Sequence, residues 1–321
     1  MGKKHFYIGI DIGGTNIITV LVDKAGEIYF TEEIETKKYL NPKRLVAKQL
    51  KIIESIRELN RTKTITGIGI GSAGIIDSKR GIIKFSPNIG WKNFNIAEII
   101  TKESKLPVVV DNDANAACWG IYYLNYSKKY SNFLCITLGT GIGGGLILSG
   151  KLYRGADGYA GEIGHMTLVP DGWPCSCGSS GCLESYAGTK GIIKRTRLRL
   201  KQGAKSLIEL NDNITPHLLE QAAANGDKTA LAIWRETGEM IGTTLASVIN
   251  LLNLELIYIT GGIAHAQKWI EDPIKRTIKK RAFSDPAHEV KIVFAKQKKD
   301  MGVIGSGLLV LEKHLHSTTL K

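Results

Sequence analysis

One pattern occurs twice in this chain, and it restricts the fold more than any other feature. Residues 7–15 read Tyr-Ile-Gly-Ile-Asp-Ile-Gly-Gly-Thr, and residues 134–141 read Leu-Cys-Ile-Thr-Leu-Gly-Thr-Gly. Each is an apolar, β-branched run that opens into a glycine turn and is followed by a second run of strand character, at 16–22 and 144–149. An approximate internal duplication of this kind implies two similar α/β domains facing one another. Paired glycines let backbone N–H groups approach an oxyanion closely, so two such turns could grip one polyphosphate from both sides. Taken singly, a Gly-Gly pair is also what a plain β-hairpin turn needs.

Around the first copy, three strands are expected at 6–12, 16–22 and 27–35, and a helix at 41–61, with Pro42 early and Leu45, Val46, Leu50, Ile53 and Ile56 on one face. A strand follows at 64–72, then loop and short strand over 75–95, and a short helix at 96–104. The run 106–110 reads as a buried strand ending in Asp111-Asn-Asp-Ala-Asn115, with a helix from about 116 to 124. A strand end opening into a helix is where open α/β sheets place ligand groups. Two carboxylates and two amides are many for a mere cap, although Asn115 alone fits an N-cap. Asp113 is the candidate catalytic carboxylate and Asp111 a structural one. Asp11 ends the first strand beside its glycine turn, where a carboxylate could hold Mg2+ through water. After the second copy, helices are expected at 189–202, 215–225, 228–252, 264–281 and 302–314, with strands at 257–262 and 290–295; 240–252 is apolar on several sides and should be buried.

His165, Cys175, Cys177 and Cys182 follow the second turn with the spacing His-x9-Cys-x-Cys-x4-Cys. Three thiolates and one imidazole make a tetrahedral zinc set, and a site closed by four protein ligands is structural. The alternative is a disulfide. Cys175 and Cys177 are too close for an easy mutual bridge, and three clustered cysteines leave one over.

Composition matters for what it excludes. There is no run of 18 apolar residues, and the apolar run at 6–10 is too short for a signal-peptide core. Five cysteines, three assigned to metal, fit a reducing cytoplasm. The net charge of +13 is concentrated at 194–205, 275–281 and 296–299. No DNA- or RNA-binding motif accompanies these clusters. They read as solvated lysine faces with some attraction for a polyanionic small molecule rather than as a nucleic-acid surface.

Four stretches together resemble one family: Asp11-Ile-Gly-Gly-Thr-Asn16; Asn112-Asp-Ala-Asn115; Gly139 to Gly145 with Gly161-Glu-Ile-Gly-His165; and Cys175-Ser-Cys-Gly-Ser-Ser-Gly-Cys-Leu-Glu184. In this order and spacing they are similar to the ROK family (repressors, open reading frames and kinases) within the actin/Hsp70/hexokinase superfamily. The resemblance covers nearly the whole chain. It implies an α/β fold of two actin-like (ribonuclease H-like) domains with a cleft between them, at 1–117 and 118–301, with the helix at about 302–321 packing back on the first. It also implies cytoplasmic phosphorylation of glucose, or of other hexoses, by ATP at the 6-hydroxyl to give the hexose 6-phosphate, and closure of the domains around the sugar.

By the same resemblance Asp113 is the catalytic base, and Asn88, Asn112, Asp113, Glu162, His165 and Glu184 bind the sugar. Asp11, Gly13, Gly14, Thr15, Asn16, Thr140, Gly141, Gly261 and Gly262 serve ATP with its Mg2+. His165, Cys175, Cys177 and Cys182 hold structural Zn2+, His165 turning its second ring nitrogen to the sugar. A homodimer is expected, and neither nucleic acid nor membrane as partner. Ser72-Ala73 and the loop carrying Trp173 depart from the family pattern near the sugar site and bear on which sugar is used. The competing expectations are an N-acetylmannosamine or N-acetylglucosamine kinase and, from another class, a sugar-responsive transcription regulator. Such regulators carry an N-terminal DNA-binding extension, for which the strand starting at Phe6 leaves no room.

Overall fold

The computed structural model of the chain describes residues 4–86, 89–211, 213–295 and 300–317. It is an α/β protein with two five-stranded sheets. In the first half β1 (His5–Ile12), β2 (Asn16–Asp23), β3 (Ile28–Glu35), α1 (Pro42–Leu59) and β4 (Thr64–Ser72) are followed by β5 (Ile75–Asp77), β6 (Ile82–Ser86), β7 (Trp91–Asn95), α2 (Ile96–Ser104), β8 (Val108–Asn112) and α3 (Asp113–Asn125). The second half holds β9 (Phe133–Leu138), β10 (Ile142–Leu148), β11 (Lys151–Leu152), α4 (Leu183–Ala187), α5 (Thr189–Lys201), α6 (Pro216–Ala224), α7 (Lys228–Leu252), β12 (Leu256–Thr260), α8 (Gln267–Arg281), α9 (Ser284–Glu289), β13 (Lys291–Phe294) and α10 (Met301–Ser317).

The duplication read in the sequence is visible in the topology. One sheet runs β3-β2-β1-β4-β8 and the other β11-β10-β9-β12-β13, so both follow the order third, second, first, fourth, fifth. In the first sheet β1 is antiparallel to β2 and parallel to β4, and β4 is parallel to β8. In the second, β10 is antiparallel to β11 and β12 is parallel to both β9 and β13. Both sheets are therefore mixed. The chain divides into two compact units, one of residues 1–131, 145–160 and 298–321, the other of 132–144 and 161–297.

Local chemistry sets the boundaries in the first unit. Asn41 caps α1 by accepting from the backbone amides of Lys43 and Arg44 at 3.0 and 3.2 Å, and Pro42 stands where its missing N–H costs nothing. The helix lays Leu45, Val46, Ile52, Ile53 and Ile56 on the sheet, all buried with Ile8, Ile10, Ile68 and Ile70, each such side chain contributing ~1.5–3 kcal/mol over exposure. Two expectations are corrected. Residues 75–95 form a second, three-stranded antiparallel sheet β5-β6-β7 rather than loop and short strand. α3 begins at Asp113, not at about 116, because Asn112 and not Asn115 is its cap.

α10 seats on the first sheet through glycines. A Cβ on Gly69 would lie 1.7 Å from the Ser306 carbonyl oxygen, one on Gly9 2.2 Å from that of Val303, and one on Gly305 2.0 Å from that of Ala116. Backbone thus meets backbone, which only glycine allows. Trp119 of α3 donates its indole N–H to the Leu308 carbonyl at 2.8 Å, in the buried interior. In the second unit α7 packs on α8, with Gly238 and Gly242 against the Ile270 and Ile274 carbonyls. In the 240–252 stretch Ile241, Leu245, Val248 and Ile249 are buried, but Ser247 is exposed and Leu251 in the last turn is 79% exposed.

Candidate functional site

In the first unit the candidate residues gather at the carboxyl ends of β1, β4 and β8. Asp11 on β1 stands opposite Gly71 on β4, which pairs in turn with Asp111 on β8. The turn after Asp11 is closed by the Gly13 amide donating to the Asn16 carbonyl at 3.1 Å, and Thr36 Oγ1 donates to the Gly13 carbonyl at 2.8 Å. Gly14 and Thr15 are left exposed. The Asn16 side-chain amide donates to Glu33 of β3 at 2.5 Å and carries a second N–H beside that bond.

Asp113 is the first residue of α3. Asn112 accepts the Ala114 and Asn115 amides at 2.8 and 3.4 Å and donates to the Gly74 carbonyl at 3.2 Å. The Asp113 carboxylate accepts the Ala114 amide at 2.9 Å. Burial pushes the Asp113 carboxyl above its ordinary range, although hydrogen bonds from Ala114, its own amide and Asn112 work against the rise. Burial, helped by the charge of Asp113, raises Asp11 to about 6. Two carboxylates near enough to feel each other at the mouth of a glycine turn form a natural place for a cation or for a proton to be moved. Asn88 lies outside the described residues.

In the second unit β9 and β12 run side by side to Thr137 and Thr260, so their following turns, Gly139 to Gly141 and Gly261-Gly262, are brought together. Gly261 has φ +100°, and a Cβ there would stand 2.3 Å from the Leu138 carbonyl oxygen. Thr140, Gly141 and Gly262 are exposed. Thr189 at the start of α5 ties the first turn down, its amide and hydroxyl both donating to the Gly139 carbonyl at 3.0 and 2.9 Å. Glu184 on α4 accepts the Ile142 amide at 2.9 Å and the Ser176 hydroxyl at 3.2 Å, so one carboxylate links the glycine turn to the cysteine loop.

The four residues of the spaced cluster converge. One ligand atom each from His165, Cys175, Cys177 and Cys182 lies within 4.8 Å of all the others. Cys177 Sγ and Cys182 Sγ are 3.7 Å apart and Cys175 Sγ is 3.5 Å from His165 Nδ1. Thiolates at ~2.3 Å from a tetrahedral zinc stand ~3.8 Å from each other, so the donor set fits. All five cysteines are free, and the convergence of His165 with the three thiols is what a metal set requires and a disulfide does not. Burial pushes the Cys182 thiol up to about 12. Burial also acts upward on Cys175, but hydrogen bonds from the Cys177 amide, Ser185, Cys177 and Cys182 bring it down to about 6. With Nδ1 at the cluster, His165 turns Nε2 toward Glu162, whose carboxylate is 3.9 Å away.

Contacts between residues distant in sequence support this loop. Trp173 stacks on Tyr186 with ring centroids 4.6 Å apart and an interplanar angle of 9°. Lys194 sits 4.0 Å over the Trp173 ring, and the Trp173 amide donates to the Tyr186 hydroxyl at 2.7 Å. A stacked pair at long sequence separation leaves no periodic trace. Arg195, almost fully buried, donates to the Tyr186 carbonyl at 3.1 Å and pairs with Glu236 of α7. Among the described residues no helix is long and apolar enough to cross a membrane.

The fold and the site define a two-domain α/β protein with glycine turns at its strand ends and one Cys3His cluster. The chain belongs to the ROK family, whose sequence model matches residues 7–313. It is 36% identical over 314 residues to a glucokinase of Streptomyces coelicolor, covering 95% of this chain and 97% of that one. It is 32% identical to a xylose repressor of Caldicellulosiruptor bescii, covering 96% of this chain and 78% of the repressor. Among solved structures it is similar to a ROK family glucokinase from Streptomyces griseus in complex with glucose and AMPPNP, with TM-score 0.73, 33% identity, and coverage of 95% and 98%. The chain is thus a relative of sugar kinases and of sugar-named repressors alike.

Proposed function

We propose that this protein transfers the γ-phosphoryl group of ATP to the 6-hydroxyl of glucose. Asp113 carries the reading. A carboxylate at the first position of a capped helix, held by backbone amides and desolvated so that its proton affinity rises, suits general-base work. Asp113 takes the proton of the 6-hydroxyl as that oxygen bonds to the γ-phosphorus, and the bond from phosphorus to the β–γ bridging oxygen breaks to release ADP. Phosphoryl transfer asks the protein mainly for positioning and charge stabilisation.

Asn88, Asn112, Glu162, His165 and Glu184 are assigned to the sugar, since amides and carboxylates pair the donors and acceptors of a polyol together. Gly13, Gly14, Thr15, Asn16, Thr140 and Gly141 are assigned to the phosphates and Gly261 and Gly262 to the adenosine side. Mg2+, which Asp11 would hold through water, supplies charge neutralisation on the phosphates. Zinc held by His165, Cys175, Cys177 and Cys182 is structural and fixes the orientation of the His165 ring.

The test is a coupled assay of ATP consumption across glucose, mannose, glucosamine, N-acetylglucosamine and N-acetylmannosamine, with Asp113→Asn alongside. Turnover with glucose that falls ~1,000-fold in the variant is the expected outcome. Turnover confined to an acetamido sugar keeps the chemistry and moves the substrate. The likeness to a xylose repressor gives a second reading, a sugar-responsive DNA binder. Absence of turnover in zinc-replete protein that binds DNA tightly would replace the kinase reading with that one.

A further inference from the structure

Behind Asp113, within the first unit, stands a charged cluster that none of the assigned roles uses. Arg154, two residues beyond β11, donates from Nε to Asp111 Oδ2 at 2.6 Å. Its other two nitrogens reach both carboxylate oxygens of Glu312 on α10, at 3.1 and 2.9 Å. The three side chains are largely buried, with exposures of 20% for Arg154, 3% for Asp111 and 7% for Glu312. Burial opposes the guanidinium charge, yet Asp111 and Glu312 outweigh it and hold Arg154 above its usual value.

What makes this more than a buried ion pair is the use of the second Asp111 oxygen. Asp111 Oδ1 accepts the backbone amide of Asn112 at 2.8 Å and the side-chain amide of Asn115 at 2.9 Å. Asn112 caps α3, and Asn115 lies one turn in. The carboxylate therefore grips the chain on both sides of Asp113. With one oxygen on two amides, the carboxylate resists rotation about its Cβ–Cγ bond all the more when the other oxygen is also fixed. Arg154 fixes it, and Glu312 fixes Arg154 with a two-pronged contact that a planar guanidinium is shaped to make.

We propose that Arg154 is a positioning residue for the phosphoryl-transfer reaction, holding Asp111 so that Asn112 and Asp113 present their side chains in the productive orientation. The proposal rests on the kinase reading above for its activity test but not for its structural one. Misplacement of a reacting group by an ångström costs ~100-fold in rate, so loss of Arg154 acts on turnover far more than its distance from the reacting atoms suggests.

The surroundings allow a direct experiment. Arg154 and Glu312 line a cavity of about 590 Å3, together with Lys79, Arg80, Lys84 and Val109. A small cation can reach the space that a truncated Arg154 would leave. In Arg154→Ala, kcat with glucose is expected to fall ~100-fold when measured well below the melting temperature. Millimolar guanidinium should restore it several-fold in that variant and in neither the wild type nor Asp113→Asn. Arg154→Lys, which keeps the charge and loses the fork, should fold and show an intermediate kcat. Amide exchange supplies the readout that needs no turnover. Asn112, Ala114 and Asn115 should exchange several-fold faster in both variants, with the amides of α1 and β2 unchanged. Wild-type kcat in Arg154→Ala at low temperature would overturn the proposal. So would faster exchange spread evenly over the unit, which marks a merely stabilising contact. If the wild type phosphorylates no sugar, the kinase reading falls, and local exchange alone decides whether Arg154 orders the start of α3.

Discussion

Asp11 should make the apo protein less stable than it needs to be, by an amount that depends on pH. Its carboxyl is raised from an ordinary 3.8 to about 6, first by burial and then by the charge of Asp113. A group whose folded value lies above its unfolded value favours folding below the unfolded value and loses that contribution as the pH rises through the folded one. Between pH 4 and pH 6 the folded chain holds a proton that the unfolded chain has released. Above pH 6 both states are ionised, and the folded one carries a poorly solvated charge beside another carboxylate. The interval from 3.8 to about 6 corresponds to about 3 kcal/mol as an upper figure. Asp11→Asn removes the charge at nearly constant shape. In buffer free of metal and nucleotide, urea unfolding at pH 7.5 should show the variant 1–3 kcal/mol more stable than the wild type, on the order of that upper figure. At pH 4 the two should coincide. The same variant should turn over more slowly, as expected where a site is strained for function. A variant that is less stable at pH 7.5, or a difference that does not change with pH, would refute the reasoning.

Two further expectations concern the frame around the site. Purified protein should carry about one zinc ion per chain, measured by atomic emission, and Cys182→Ser should lose it together with resistance of the second unit to proteolysis. Gly69→Ala would place a methyl 1.7 Å from the Ser306 oxygen and should lower the unfolding free energy, measured by denaturant titration, by about 3 kcal/mol or more, whereas Gly262→Ala, with nothing within 4 Å, should leave it unchanged.

The legible parts of the chain were those with a local cause. Alternating apolar residues place β1 and β2, and Asn41-Pro42 places the start of α1. Lys228–Leu252 is bounded by residues suited to capping, Asp227 accepting the Ala230 amide and Asn253 in the left-handed region. The spacing from His165 to Cys182 foretold a cluster that the fold does close. The parts that were missed have causes far away in sequence. β5, β6 and β7 are short strands whose registers depend on one another, as Ile83 facing both Ile76 and Phe94 shows. Asn115 looks like a cap until Asp111 takes its side chain. Arg154 reads as one more positive charge in a basic chain, and only its meeting with Asp111 and Glu312 gives it a task.

The glycine-lined seat of α10 also sets a timetable for synthesis. β1 and β4 leave the ribosome early, but the helix that covers Gly9 and Gly69 begins at Met301. Residues 132–300, which include nearly all of the second unit, must be translated in between, taking on the order of 10–30 s. For that interval the first sheet has a bare apolar face that nothing nearby in sequence can cover. The second unit has its own strands and helices in hand before α10 appears. The half of the molecule that is made first is therefore the half that is finished last. A chain released from the ribosome before Met301 should present that uncovered face to chaperones, although every strand and helix of its later-made half is present.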